Sequence, residues 1–309
     1  MKLIIKNSIC ATFILIQFHM VSAHNTEVKH IFELSDGRNL SYCEYGLIDG
    51  NPVFYFHGFP GSRLDVKFFG GDEAARKNNI RLISVDRPGY GSSDIQPGRS
   101  LLEWPKDIIE LADKLGIDKF SILAYSGGGP YALACANSIP ERIDKLIIVS
   151  GMTHFKAPMA KEGTAMLIPK MPGLFQNVIL KGMNKMITKN PDKILENLYR
   201  SMPDVDKDIM QNIQFTEAFL NTLRESFRTG HKGAKQEARI YKKEWGFDLS
   251  DISHKIYLFH GEQDLNVKNE SVKYIVQQLH DCEIIFYPQE GHMSLINNRI
   301  DEILNVYTK

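Results

Sequence analysis

Cysteine is scarce in this chain, four in 309 residues, and no two of Cys10, Cys43, Cys135 and Cys282 have the spacing of metal ligands. A disulfide framework or a cysteine-based metal centre therefore does not organise it. A surplus of charge is missing as well. Lysine plus arginine and aspartate plus glutamate number 37 each, with no polybasic run and no acidic tail. Nothing in the linear charge pattern draws the chain to nucleic acid or anionic lipid. No apolar run is long enough to span a bilayer: the stretch from Ile9 to Ile16 falls well short of the roughly 20 residues a crossing helix needs.

That short run has a different meaning. Lys2 and Lys6 precede it and the small residues Val21-Ser-Ala23 follow, the pattern of a secretory signal cut after Ala23. Residues 1–23 are expected to be removed, leaving a secreted or periplasmic protein without stable membrane insertion. Cleavage takes Cys10 away. The three cysteines that remain cannot all pair, and each lies in a strand-like or helix-like segment, so buried free thiols are expected.

What is present is an ordinary globular composition, 43% apolar and 24% charged, around one stretch that organises the rest. Phe120-Ser-Ile-Leu-Ala-Tyr is short, branched and aromatic. Ser126-Gly-Gly-Gly-Pro-Tyr-Ala-Leu-Ala-Cys-Ala is alanine-rich, with Pro130 just inside its first turn. Strand gives way to helix at Ser126. So abrupt a turn strains the serine backbone and demands small residues two before and two after it, which Ala124 and Gly128 supply. The result is an Ala-x-Ser-x-Gly nucleophile elbow, with the Gly127 amide in place to stabilise an oxyanion.

Apolar strands are expected at residues 53–56, 80–85, 145–150, 255–259 and 283–287, after an opening hairpin over residues 31–45. Helical periodicity runs from Leu102 to Leu115 and stops at Gly116. From Met152 to about Trp245 strand-like runs disappear. Helical patterns take over, broken at Pro169, Pro172, Pro191 and Pro203. An alternating strand and helix core, residues 24–151 and 246–309, thus carries a helical cap over residues 152–245. Eight of the 11 methionines lie in that insertion, suited to lining a pocket for an apolar substrate. The charged stretch Lys232 to Lys243 reads as a solvated helix face.

The elbow, the His57-Gly-Phe-Pro loop, the Asp86-Arg-Pro-Gly-Tyr-Gly loop and the Trp245-Gly-Phe-Asp segment together resemble the α/β-hydrolase family over roughly residues 27–308. The family's usual elbow has glycine where this chain has Ala124, which still meets the need for a small side chain. The resemblance implies a mostly parallel central sheet flanked by helices, and assigns the second oxyanion donor to the Phe59 amide. His57 and Asp86 themselves read as loop-bracing residues, the latter through amides of its own turn. The resemblance also places the catalytic acid at Asp264, in preference to Glu262 on the same loop, and the general base at His292. The order Ser126, Asp264, His292 is the family's order.

A serine at the elbow, where an epoxide hydrolase or dehalogenase would have aspartate, implies acyl-enzyme chemistry on a small-molecule substrate, without metal or organic cofactor. A carboxylic ester of small to medium, fairly apolar character is the expected substrate. The alternatives are a proline-iminopeptidase-like aminopeptidase, which would need a cap acid such as Glu162, Glu196 or Glu217, and a non-enzymatic hydrolase-like receptor.

Overall fold

The computed structural model describes residues 28–308; the signal-like segment lies outside them. Eight strands form one sheet: β1 (His30–Glu33), β2 (Asn39–Gly46), β3 (Asn51–Phe56), β4 (Ile80–Val85), β5 (Phe120–Tyr125), β6 (Ile143–Val149), β7 (Ile256–Gly261) and β8 (Cys282–Tyr287). Their spatial order is β1-β2-β4-β3-β5-β6-β7-β8. Only β2 runs against its neighbours, β1 on one side and β4 on the other; every other pairing is parallel.

Parallel strands covered on both faces bury every side chain, and β5 is buried throughout. Its alternating residues feed two cores. Phe120, Ile122 and Ala124 join Phe54, Phe56, Leu146 and Ile148 on one face, while Leu123 and Tyr125 join Val53, Tyr55, Ile147 and Val149 on the other.

Helices cover both faces. The short α1 (Asp65–Phe68) and α2 (Gly71–Lys77) follow β3, and α3 (Trp104–Lys114) follows β4. Ser100 and Glu103 form a capping box just before α3, the Glu103 carboxylate accepting the Ser100 backbone N–H at 2.6 Å. The elbow leads into α4 (Gly129–Ser138).

Among the described residues no strand lies between β6 and β7. That interval holds α5 (Gly173–Lys189), α6 (Pro191–Ser201), α7 (Asp204–Met210), α8 (Ile213–Ser226) and α9 (Lys232–Tyr241), which we call the cap. Three of its prolines act as starts: Pro172 precedes α5, Pro191 opens α6 and Pro203 precedes α7. Leu180, Ile187, Ile194, Leu220, Leu223 and Phe227 give it an apolar cluster of its own, reaching Tyr90 of the core. After β7 come α10 (Asn269–Gln278) and, beyond β8, α11 (His292–Asn305).

Three expectations need correction. Helix α9 is not a solvated face: Ala234, Glu237, Ala238, Ile240 and Tyr241 are buried, and only one side of the helix meets water. Asp86 does brace its loop, but its partners come from elsewhere in the chain. Its carboxylate accepts Arg63 N at 2.7 Å, Arg63 Nη1 at 2.6 Å and Ser41 Oγ at 2.7 Å. No disulfide joins Cys43, Cys135 or Cys282 among the described residues, and Cys43 Sγ accepts from Arg63 Nε at 3.2 Å; Cys282 is only half-buried, because β8 is the sheet's edge.

Candidate active site

Ser126 directly follows β5 with φ of 50°, a left-handed conformation that costs a non-glycine residue about 1–3 kcal/mol. The neighbours leave little room for a different turn. A Cβ on Gly128 would stand 2.2 Å from the Phe56 carbonyl oxygen. One on Gly127 would meet Phe59 Cβ and Tyr241 Oη, each at 2.7 Å. The elbow's glycines are therefore required by close approach of β3 and of the cap.

His292 is the first residue of α11 and is buried beside the elbow. Its Nε2 lies 2.9 Å from Ser126 Oγ, and its Nδ1 lies 2.7 Å from Asp264 Oδ2. The other Asp264 oxygen accepts the Asn266 and Val267 amides at 2.7 and 2.9 Å. The structure thus brings Ser126, His292 and Asp264 together in one relay. Glu262, by contrast, faces solvent.

Burial pulls the His292 imidazolium pKa down, but the Asp264 carboxylate outweighs it, with a further contribution from Asp206, and the net shift is upward. Burial raises Asp264, yet His292, with smaller contributions from His260 and the Val267 amide, leaves it below the usual carboxylate range. The pair is therefore set as carboxylate and a readily protonated imidazole.

The Phe59 amide nitrogen lies beside the elbow, 3.1 Å from where a Gly127 Cβ would be, and has no acceptor among the described residues. It and the Gly127 amide are available to an oxyanion. The loop that carries Phe59 is gripped from two sides. Asp65 accepts the Gly58 N–H at 3.0 Å, the Ser62 N–H at 3.1 Å and the Thr222 hydroxyl of α8. Burial raises its pKa to about 6. From the other side Arg87 donates to the His57 carbonyl at 2.5 Å and the Gly58 carbonyl at 2.9 Å. Arg87 is itself held by Glu237 of α9, Nε to Oε1 at 2.6 Å.

His57 braces this loop and is not a base. Its Nδ1 donates to Gly58 O at 2.9 Å and its Nε2 accepts the Arg87 N–H at 3.2 Å, which fixes a neutral tautomer. Burial, reinforced by Arg87, holds its pKa well below the usual value.

Sequence reasoning missed Asp206, Asp65, and the pairing of Arg87 with Glu237. Asp206, on α7 of the cap, is buried, and its carboxylate accepts the first backbone amides of α11: His292 at 3.0 Å, Met293 at 3.0 Å and Ser294 at 2.8 Å. It caps the helix that starts with the imidazole. A Cβ on Gly291 would lie 2.6 Å from Asp206 Oδ1, so that position has to be glycine for the approach to occur.

Ser126 and His292 open onto a cavity of about 260 Å³ between core and cap, walled by Phe68, Ile168, Met183, Ile194, Met202 and Phe219. Of the cap methionines, Met183 and Met202 reach it. Its carboxylates are Asp65 and Asp206, and no lysine or arginine lines it among the described residues.

A strand-ended serine facing an imidazole and a carboxylate beneath a helical cap defines a class of hydrolase. The chain belongs to the α/β-hydrolase fold family, whose model matches residues 51–299. Among curated proteins it is similar to the 2-hydroxy-6-oxononadienedioate/2-hydroxy-6-oxononatrienedioate hydrolase 1 of Pseudomonas putida, 28% identical over 69% of this chain and 78% of that protein. It is also 28% identical to the uncharacterized hydrolase YcgS of Bacillus subtilis over 54% of this chain, spanning only 56% of that relative's length. Two solved structures share the fold. A hydrolase from Pseudomonas aeruginosa superposes with a TM-score of 0.68 at 17% identity, covering 93% of this chain and 99% of that one. An esterase from Exiguobacterium antarcticum superposes with a TM-score of 0.66 at 19% identity, covering 91% and 99%. At these identities the solved structures speak for the fold alone.

Proposed function

We propose that this hydrolase cleaves uncharged carboxylic esters with apolar acyl groups through an acyl-enzyme intermediate. The observation that carries the reading is the relay Asp264–His292–Ser126 opening onto an apolar cavity. Ser126 Oγ attacks the ester carbonyl carbon while His292 Nε2 takes its proton. The carbonyl oxygen becomes negative between the Phe59 and Gly127 amides. Collapse expels the alkoxide, which receives the proton from His292. Water then loses a proton to the same nitrogen and attacks the acyl carbon, releasing the acid and restoring the serine. Throughout, Asp264 holds the Nδ1–H tautomer and stabilises the imidazolium.

The lining supports an uncharged acyl group. The dienedioate in the Pseudomonas putida relative's name is a dianion, and Asp65 and Asp206 would repel it with no lysine or arginine among the described residues lining the cavity. The aminopeptidase reading is disfavoured too. Glu162, Glu196 and Glu217 are exposed and away from the cavity, while the carboxylates inside it are occupied by protein donors.

Comparing p-nitrophenyl esters with prolyl amides tests the reading: ester turnover is expected to dominate, and faster amide cleavage overturns the preference. A fluorophosphonate probe should label wild type and spare Ser126→Ala. Labelling without turnover of any ester would support the receptor reading instead. The proposal includes export after cleavage at Ala23, which N-terminal sequencing of the exported protein checks; finding Met1 there would refute it.

A further inference from the structure

Net neutrality conceals a strong charge polarity. Residues 152–245 carry 16 lysines and arginines against 10 aspartates and glutamates, whereas the rest of the sequence carries 21 against 27. The cationic half is the cap. Within it, residues 163–191 contain Lys170, Lys181, Lys185 and Lys189 and neither aspartate nor glutamate.

Helix α5 arranges these residues on one outward face. Its inner side, Gln176, Leu180 and Ile187, is buried. On the outer side Leu174 is 74% exposed, Phe175 59% and Val178 62%. Three- and four-residue steps from Leu174 lead through Val178 to Lys181, Lys185 and Lys189, all exposed. The first turns of this face are therefore apolar and the later ones cationic. Leu167, 44% exposed just before the helix, also lines the mouth of the catalytic cavity. Arg239 of α9 reaches the start of α5, 3.5 Å from a Cβ built on Gly173, and adds a cation beside the apolar end.

Exposed apolar residues scattered singly need no explanation, but Leu174, Phe175 and Val178 on the first turns of one helix, followed by a row of lysines and preceded by the part-exposed cavity residue Leu167, do. We propose that this face of α5 docks the enzyme on a bilayer bearing anionic headgroups. Leu174, Phe175 and Val178 enter the acyl boundary while the lysine row stays among the phosphates. A second copy of the chain fits poorly, because a parallel pair would set one lysine row against another and an antiparallel pair would set each row on the partner's apolar turns. No helix among the described residues is long and apolar enough to cross a membrane. Docking would turn the cavity mouth toward lipid and deepens the ester reading by naming a membrane-dissolved ester as substrate.

The test is co-sedimentation of the full mature chain with vesicles of phosphatidylcholine alone and of phosphatidylcholine with phosphatidylglycerol. Binding is expected only to the anionic vesicles and should weaken as salt rises. Each of Lys181→Ala and Lys185→Ala should lower the partition coefficient by a factor of about five. The pair Phe175→Asp and Val178→Asp should abolish it with the melting temperature unchanged. Binding read this way does not depend on turnover, so its failure is separate from failure of the ester reading. Equal binding to neutral vesicles, no binding to anionic ones, or binding unmoved by these substitutions overturns the proposal. So does a mass in sedimentation equilibrium that shows wild type dimeric and the Phe175→Asp, Val178→Asp variant monomeric.

Discussion

Ser126 departs from ordinary backbone geometry, with φ of 50°, and the atoms packed around it tolerate no alternative. Its demands are local, which is why Ala124, Ser126 and Gly128 could be read as an elbow from the sequence. Asp264 and His292 were found through motif order. Asp206 had no such signature: it caps α11 from 86 residues away, and a lone aspartate on a charged cap helix resembles many solvated ones. Ser126→Ala is expected to lower kcat by a factor on the order of 10³ to 10⁶, measured on the best ester found. The pH profile follows from the upward shift at His292. The imidazole must be neutral to accept the serine proton, so activity falls as pH drops through a pKa above the ordinary histidine value of about 6.5. The groups facing that ring are Asp264 from the β7 loop, Asp206 from α7, His260 of β7, whose own pKa is depressed by burial, and Tyr125 of β5. Removing one negative charge with Asp206→Asn should move the acid limb of kcat/KM to lower pH. An unmoved limb with an unchanged kcat would reduce Asp206 to a structural cap.

At the scale of elements, α9 shows how burial can defeat periodicity. Its sequence, Lys232-Gly-Ala-Lys-Gln-Glu-Ala-Arg-Ile-Tyr241, carries enough charge to suggest a wet helix, yet Glu237 is fully buried. The missing information was the partner, Arg87, 150 residues earlier. Glu237 also accepts the Tyr90 hydroxyl at 2.5 Å, and Tyr241 on the same helix donates to the Gly127 carbonyl at 2.8 Å. Helix α9 is thereby bonded both to the elbow and, through Arg87, to the oxyanion loop. It belongs mechanically to the core although it lies in the inserted segment. Leaving the buried Arg87 unpaired is expensive, so Glu237→Ala should destabilise the fold by about 3–5 kcal/mol in chemical denaturation. Because Arg87 orients the His57 and Gly58 carbonyls, the variant should also lower kcat at temperatures where it remains folded. Stability within 1 kcal/mol of wild type would show that the pair does not hold the loop.

Across the whole molecule, the core and the inserted helices meet at one cavity, and the contacts between them combine buried polar bonds with aromatic packing. Thr222 reaches Asp65, Asp206 reaches α11 and Glu237 reaches Arg87, while Phe68 of the core stacks edge-on against Phe215 and Phe219 of α8 with centroids 5.5 and 5.8 Å apart. The central strands and the strand-free stretch after β6 were legible because those strands are compact apolar runs bounded by glycine and turn residues, whereas the spatial order β1-β2-β4-β3-β5-β6-β7-β8 leaves no mark in any one segment. The polarity of charge was not legible either, since it emerges only when residues are grouped by the surface they share. A cavity of about 260 Å³ stands near the lower end of ligand-site volumes, which begin at about 300 Å³. Its apolar walls should reward each methylene added to the acyl group by about 0.8 kcal/mol, roughly fourfold in kcat/KM, until the space is filled. A series of p-nitrophenyl esters from acetyl to octanoyl is therefore expected to rise and then level off. Replacing Met183 on the wall by tryptophan should move the plateau to shorter chains, with hydrolysis of the acetyl ester changing less. A decline from acetyl onward would mean that the acyl group does not enter this cavity, and the leaving group would then have to occupy it.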